Sequence, residues 1–183
     1  MLAAPMVCAD VVNLLPAKDN TLYQSGNGIS NGLGAHFFTG RTGQSNFLSR
    51  RRAVIAFDIA GSIPPDSTIN GVTLRLFMSR SPTGASMLTF LRRLDADWGE
   101  GTSNDSGGEG SGALATVGDA TWANTFFPNG FWNSAGGDFT VFPSGAAAVA
   151  GIGIYTWSSD QMVADVQGWL DNPATNYGWI LTG

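Results

Sequence analysis

The sequence contains one cysteine, Cys8, and one histidine, His36. A single cysteine excludes an internal disulfide and a cysteine-based zinc site, and a single histidine excludes a metal site built from several imidazoles. A Ser-His-Asp triad would have to use His36, which lies in the strand-like pattern GAHFF without a serine in a sharp glycine turn beside it. The chain therefore lacks the residue types of the commonest nucleophilic and metal-dependent enzymes.

Charge and long apolar runs are also scarce. Charged residues make up 13% of the chain, the net charge is −5, and Lys18 is the only lysine. This balance argues against a nucleic-acid partner, because binding to a phosphate backbone needs an excess of Lys and Arg. The short run 50–52 of three arginines precedes an apolar segment and is interpreted as a solvated strand entrance. No apolar run reaches about eighteen residues, so no membrane span is predicted.

Glycine and aromatic residues are abundant, whereas the helix formers Glu and Lys are rare. That mixture favours short strands joined by glycine-rich turns. Strands are expected at 11–16, 21–24, 35–41, 52–60, 68–80, 86–95, 119–127, 137–142, 151–157 and 177–183. The segment 52–60 is nearly continuously apolar, which is typical of a strand buried on both faces, and 68–80 alternates with a period of two. We expect 68–80 and 86–95 to form a hairpin.

One segment has the pattern of a helix. Ser158 and Gln161 form an S-x-x-Q capping box, apolar residues then recur at helical spacing, and Pro173 follows the end. Many strands with a single late helix predict an all-β fold, an antiparallel jelly-roll β-sandwich with one short helix near the C-terminus. Residues 10–183 are expected to form a single domain.

The first nine residues, MLAAPMVCA, have two interpretations. Val7 and Ala9 satisfy the small-residue rule for signal-peptide cleavage, which would make Asp10 the mature start. Residues 1–9 are then the remnant of a signal peptide, and the protein is exported. Alternatively, they are an ordinary first strand.

The stretch 92–110, RRLDADWGEGTSNDSGGEG, concentrates five carboxylates and leaves three alternatives open. A glycosidase needs two carboxylates across a cleft, and Glu100 and Glu109 are the only glutamates, but an apolar lining that would tune such a pair is missing apart from Trp98. Calcium is the second alternative, although the spacing misses the EF-hand pattern. Asp19, Asn20 and Asp138, from separated loops, are its candidate ligands.

The third alternative for this stretch is structural. Arg93, Trp98 and Glu100 are expected to fix a strand corner, with an arginine partly buried beside a carboxylate. The following SNDSGGEGSG is then a flexible solvent loop. On this interpretation Glu100→Ala lowers stability by roughly 1–3 kcal/mol, whereas Glu109→Ala has no measurable effect.

Aromatic residues give a further indication of function, because exposed aromatic faces bind sugar rings. Trp122, Trp132 and Phe131 lie in the loop-rich segment 119–138. They either form a packed lid over one end of the sandwich or line a carbohydrate-binding groove, and lid packing is the expectation.

The chain resembles the bacterial extracellular DNRLRE domains. The matching motifs are AFD at 56–58, IP at 63–64, TI at 68–69, LRL at 74–76, RL at 93–94, DW at 97–98, EGT at 100–102 and MVADVQGWLDNPATNYGWIL at 162–181. The resemblance implies a secreted or cell-surface β-sandwich without common catalytic residues. A related group of carbohydrate-binding modules recognises acidic polysaccharides such as alginate.

These observations lead to two hypotheses besides an enzyme that degrades polysaccharide. The first is a non-catalytic extracellular module that binds polysaccharide or belongs to a cell surface or matrix, with no required cofactor. The second is an assembly subunit. Members of the family continue past the GWxLxG strand, so a final strand is expected to be lacking here, through truncation or by design, and the resulting open edge would self-associate by strand addition.

Overall fold

The computed structural model describes residues 9–26, 28–43 and 50–183. In these ranges the elements are β1 (Lys18–Tyr23), β2 (Ile29–Ser30), β3 (Gly40–Arg41), β4 (Arg50–Ala56), β5 (Leu74–Met78), β6 (Met87–Arg93), β7 (Ala113–Leu114), β8 (Gly145–Val149), β9 (Gly153–Trp157), α1 (Asp160–Asp171), a 3₁₀ turn (Pro173–Thr175) and β10 (Trp179–Thr182). The strands pair antiparallel, which confirms the predicted all-β class with one short helix near the C-terminus. The jelly-roll connectivity stays a prediction. The signal-peptide or first-strand alternatives for 1–9 lie, apart from Ala9, outside the described residues.

The main sheet has the strand order β1-β4-β10-β6-β8, with β3 also paired to β4. The last strand, β10, lies inside the sheet, because Ile180 pairs with Val54 of β4 on one side and with Arg92 of β6 on the other. Along this path β1 and β8 are the strands with a neighbour on one side only. The last strand, β10, is therefore not an edge strand of the described sheet, whose path ends at β1 and β8.

Strand β4 is buried on both faces, as its continuous apolar pattern predicts. Ala53 and Ile55 belong to one buried cluster, whereas Val54 and Ala56 belong to a second cluster. Successive side chains of a strand point to opposite faces of the sheet. The main sheet is therefore covered on both sides.

The first face is covered by α1 and by the pair β5–β9. Trp169 of the helix packs edge-on against Trp179 of β10 with ring centroids 4.6 Å apart. In β5, Leu74 is buried and Phe77 is exposed, which confirms the period of two. The predicted hairpin of 68–80 with 86–95 is wrong, because β5 pairs with β9 while β6 pairs with β10 and β8. The two segments belong to different layers, which local alternation does not reveal.

The helix begins one residue later than its capping box suggests. The N-cap is Ser159, whose Oγ accepts a hydrogen bond from the Met162 backbone N–H at 3.1 Å. Ser158 instead donates to the Val72 carbonyl oxygen at 2.8 Å. In the described part of the chain, the helices are too short and too polar to cross a membrane.

Long loops cover the second face of the sheet. Trp98, Trp122 and Trp132 pack there against Val54 and Ile180. Three segments expected to be strands are irregular instead: 11–16 is coil on the surface, 119–127 is a series of turns and bends, and 137–142 contains only an isolated bridge at Phe139. Of the expected strand 35–41, only Gly40–Arg41 is a strand. Most backbone hydrogen bonds of 119–127 are local, as in the bond from the Thr121 N–H to the Asn124 carbonyl oxygen, although Gly99 bonds to Ala120 and Thr125. Thr and Asn side chains favour such turns because they replace backbone partners.

A buried carboxylate joins the helix to the sheet. Asp165 Oδ2 accepts hydrogen bonds from Trp179 Nε1 at 2.9 Å and from Ser144 Oγ at 2.5 Å. Asp165 Oδ1 accepts a third bond from Gln161 Nε2 at 3.1 Å. A buried carboxylate is stable only where its hydrogen bonds replace water.

Asp165→Ala is expected to lower the free energy of unfolding by about 2–4 kcal/mol, because it leaves two buried donors, Trp179 Nε1 and Ser144 Oγ, without an acceptor. Urea denaturation monitored by tryptophan fluorescence measures the change. The matched control is Asp171→Ala at the exposed end of the same helix, which should shift stability by less than about 0.5 kcal/mol. Equal effects of the two variants would contradict the assignment.

Candidate functional site

Trp98 anchors the segment that follows β6. Its ring is fully buried, and its Nε1 donates a hydrogen bond to the Tyr177 carbonyl oxygen at 2.8 Å. Lys18 Nζ lies 4.5 Å from the ring centroid and donates to the Trp98 carbonyl oxygen at 2.5 Å. The strand corner is thus held by packing, a cation–π contact and hydrogen bonds.

Glu100 and Arg93 do not form the expected arginine–carboxylate pair. Glu100 Oε1 accepts the backbone N–H of Asp19 at 2.9 Å. Arg93 is exposed, and its closest carboxylate oxygen is Asp95 Oδ1 at 3.7 Å. The half-buried arginine is Arg92, which donates to backbone carbonyl oxygens rather than to a carboxylate.

The three calcium candidates serve separate hydrogen-bonding roles. Asn20 is fully buried, and its Oδ1 accepts bonds from three donors: Thr21 N, Ser30 Oγ and Asn31 N. Asp138 caps another loop by accepting the backbone N–H groups of 133 and 134 at 2.7 and 2.8 Å. In residues 9–26, 28–43 and 50–183, no three His, Cys, Asp or Glu side chains converge to hold a metal. Calcium therefore stays a prediction without a ligand set.

Asp19, the third of these candidates, is under electrostatic strain. Burial, and then the nearby charge of Glu100, raise the pKa of Asp19 from 3.8 to about 6. Because the folded protein holds this proton more tightly than the unfolded chain, stability falls as pH rises from 3.8 to about 6.

The aromatic candidates are divided by burial. Trp122 and Trp132 are only 8% and 6% exposed, whereas Phe131 is 68% exposed. Trp132 Nε1 donates to the Thr121 carbonyl oxygen at 2.9 Å, and the Arg52 guanidinium lies 4.9 Å from the Trp122 ring. The two tryptophans thus form a packed lid. They do not present a stacking platform for sugar, since their faces are used inside the protein.

A shallow surface depression lies elsewhere in the described structure. Two adjoining cavities of about 230 and 470 Å³ share the walls formed by Phe38, Arg80, Gly108 and Glu109. The smaller cavity is also lined by His36 and Ser79, and the larger one by Arg41, Arg51 and Asp105. We call this depression the arginine groove, defined by Phe38, Arg41, Arg51, Arg80 and Glu109.

Glu109 holds one wall of the arginine groove. It adopts a positive φ of 58°, and its side chain is 13% exposed. Its Oε2 accepts the backbone N–H of His36 at 2.8 Å and Asn31 Nδ2 at 3.2 Å, with His36 Nδ1 at 3.5 Å. Burial raises the pKa of Glu109, but hydrogen bonds from His36, Asn31 and Ala35 outweigh burial and lower that pKa overall. The expected flexible tail is therefore a fixed loop at this residue.

The arginines of the groove differ in how they are held. Arg51 is 7% exposed, lies 4.8 Å from the centre of the Tyr23 ring and donates Nε to the Gly110 carbonyl oxygen at 3.4 Å. Burial lowers the pKa of Arg51. Arg41 and Arg80 are exposed, and neither has an ion-pair partner among the residues that the structure describes.

The groove offers binding chemistry rather than a nucleophile. His36 and Ser79 line the same cavity, but no hydrogen bond joins them in the described structure. Guanidinium groups, by contrast, donate paired N–H groups that match the geometry of a carboxylate. The arrangement is therefore suited to hold an anion.

The groove is not predicted from the sequence, in which the arginine run at 50–52 is interpreted as a solvated strand entrance and Glu109 as part of a flexible loop. Side-chain alternation along β4 could have predicted part of the groove, because it places Arg51 on the opposite face of the strand from Arg50 and Arg52. The groove also requires three distant segments to come together: 36–43, 79–82 and 105–111. No local sequence pattern predicts their contact, because it depends on the tertiary fold.

No family profile, characterised protein or solved structure matches this chain.

Glu109→Ala is expected to lower the free energy of unfolding by about 1–3 kcal/mol, because the His36 N–H and Asn31 Nδ2 lose their acceptor. Chemical denaturation measures the change. The control is Asp10→Ala, which removes the same charge from an exposed position and should have no measurable effect. A Glu109→Ala protein as stable as wild type would show that the loop is not fixed by this carboxylate.

Asp19→Asn is expected to raise the free energy of unfolding near pH 7 by about 1–2 kcal/mol, after allowance for solvent screening of this half-buried group, and to give no gain near pH 4. The amide removes the charge that burial and Glu100 disfavour while keeping the side-chain shape. Denaturation curves at the two pH values test this. A gain of the same size at both would refute the electrostatic cause.

Proposed function

We propose that this protein is a non-catalytic extracellular module that binds acidic polysaccharide in the arginine groove. The observation that carries the proposal is the presence in one groove of two exposed arginines, Arg41 and Arg80, that form no ion pair with any described residue, in a chain whose net charge is −5. The larger cavity of the groove is lined by three arginines, Arg41, Arg51 and Arg80, and by two carboxylates, Asp105 and Glu109, so its lining is net positive in a protein with more carboxylates than cations.

The other walls of the groove suit a sugar polymer. Phe38 is half-buried and supplies an apolar surface for a pyranose ring. Glu109 supplies carboxylate oxygens that accept sugar hydroxyl groups, and its lowered pKa keeps it ionised. Arginine forks bind the sugar carboxylates. This combination favours a chain in which carboxylates and hydroxyl groups alternate.

The resemblance to DNRLRE domains supports the same ligand class and a secreted or cell-surface location. It rests on sequence motifs, whereas the groove rests on the positions of side chains in the fold.

The test is affinity electrophoresis and calorimetry with polyuronates, using a neutral glucan as the ligand control. Arg80→Gln is expected to weaken polyuronate binding about tenfold or more, because it removes a charge-assisted contact worth about 1.5–3 kcal/mol. Binding should also weaken with added salt.

The matched control variant is Arg75→Gln. Arg75 is exposed on β5, outside the groove, and the substitution changes the net charge by the same amount. Loss of binding in both variants would indicate a general charge effect and contradict the groove. Absence of retardation of the wild-type protein by any polyuronate would refute the proposed function.

A further inference from the structure

A second group of arginines lies on the other face of the main sheet. Arg50 and Arg52 alternate with Arg51 along β4 and share a face with Val54, which belongs to the second buried cluster. In β6, Leu91 belongs to the first cluster, so Arg92 also faces the second side. We call this surface the arginine shelf, defined by Arg50, Arg52 and Arg92.

Aromatic rings hold two of these arginines in place. The Arg52 guanidinium carbon lies 4.9 Å from the Trp122 ring and 5.1 Å from the Phe139 ring. The Arg92 guanidinium lies 5.9 Å from the same Phe139 ring and 5.3 Å from Phe90. Phe139 thus contacts both cations, and these cation–π contacts favour fixed positions of the two guanidinium groups.

No described carboxylate forms an ion pair with a shelf arginine. The described ion pairs are Lys18–Asp97, His36–Glu109 and Arg93–Asp95, and none of them includes a shelf arginine. Burial, and then the charges of Arg50 and Arg92, lower the pKa of Arg52. This repulsion between neighbouring guanidinium groups is relieved by a bound anion.

Donors remain free on the shelf. Arg52 uses Nη1 to donate to the Gly136 carbonyl oxygen at 2.5 Å. Arg92 uses Nη1 to donate to the carbonyl oxygens of Thr140 and Val141. A guanidinium has five N–H donors, and the Nε and Nη2 groups of both residues donate no hydrogen bond within the part of the chain that the structure describes, so they can bind a ligand.

The shelf is continuous with the arginine groove around the end of β4. Arg41, which lines the groove, pairs in register with Arg50 of the shelf, and Gly40 pairs with Arg51 of the groove. Paired residues of adjacent antiparallel strands lie side by side. Among the described residues, Arg50 is therefore the shelf arginine beside Arg41, where an extended polyanion would leave the groove.

We infer that the shelf is an extension of the binding surface, on which further carboxylates of a long acidic polysaccharide bind after the chain has passed the groove. This inference rests on the proposed function. It implies that the protein distinguishes polymers from short oligosaccharides, because only a long chain occupies both surfaces and gains from a second, linked set of contacts.

The experiment compares affinities for a short and a long ligand of one chemistry, a uronic-acid trisaccharide and the corresponding polyuronate. Wild-type protein is expected to bind the polymer at least about tenfold more tightly per chain than the trisaccharide. Arg50→Gln, and the double variant Arg50→Gln with Arg92→Gln, should remove most of that gain and leave trisaccharide affinity within about twofold of wild type. Arg80→Gln should weaken both ligands, and Arg75→Gln should weaken neither.

Arg50→Gln is expected to fold like the wild type, because Arg50 is exposed and its guanidinium makes no hydrogen bond within the described residues. Shelf variants that keep the full polymer gain would overturn the inference while leaving the proposed function intact. Equal weakening of both ligands by Arg50→Gln would also overturn it, since the shelf would then be part of the groove. Wild-type protein that binds neither ligand, or that binds single-stranded DNA more tightly than polyuronate, would overturn both proposals.

Discussion

The buried amide of Asn20 is the contact on which the arrangement of the loops depends. From β1, its Oδ1 accepts the N–H of Asn31 and the hydroxyl of Ser30, and its Nδ2 donates to the Glu100 carbonyl oxygen at 3.0 Å. Asn31 continues the network, because its Nδ2 donates to Glu109. One side chain thus connects the first strand to the segment after β6 and, through Asn31, to the wall of the arginine groove. A buried amide imposes this geometry because each unpaired polar group would cost free energy.

The sheet itself follows a simpler constraint. A strand that is apolar on both faces needs cover on both sides, and β4 is such a strand. Helix α1 and the β5–β9 pair cover one face, whereas loops rich in tryptophan cover the other. The loop layer has few ladder hydrogen bonds of its own, so local polar contacts and rings packed on arginines hold it. This explains why a protein with a low charge content places several arginines in half-buried positions.

In the proposed function, arginines that stabilise the sheet also contribute to ligand binding. Arg51 and Arg52 are adjacent in sequence, yet they stack on rings on opposite faces of the sheet, on Tyr23 and on Trp122. A guanidinium that stacks on a ring uses the face of its plane. Its N–H groups point outward from the edge of that plane, and an anion binds to these N–H groups. In the proposed function, the packing that stabilises the sheet also orients the donors for the polysaccharide. Arg41, Arg50 and Arg80, which are exposed, then add charge at positions where solvent and ligand have access.

The sequence by itself determined the elements whose signals are local. Periodicity and continuous apolar runs predicted β4, β5 and α1, because side-chain alternation and helical spacing are properties of neighbouring residues. Only the tertiary structure decided the partners of β5, the irregular course of 119–127 and the packed state of Trp122 and Trp132. It also brought Arg41, Arg80 and Glu109 to one groove. Strand pairing, burial of a ring in a loop and convergence of distant charges depend on contacts between residues far apart in the chain, and such contacts leave no periodic mark in the sequence.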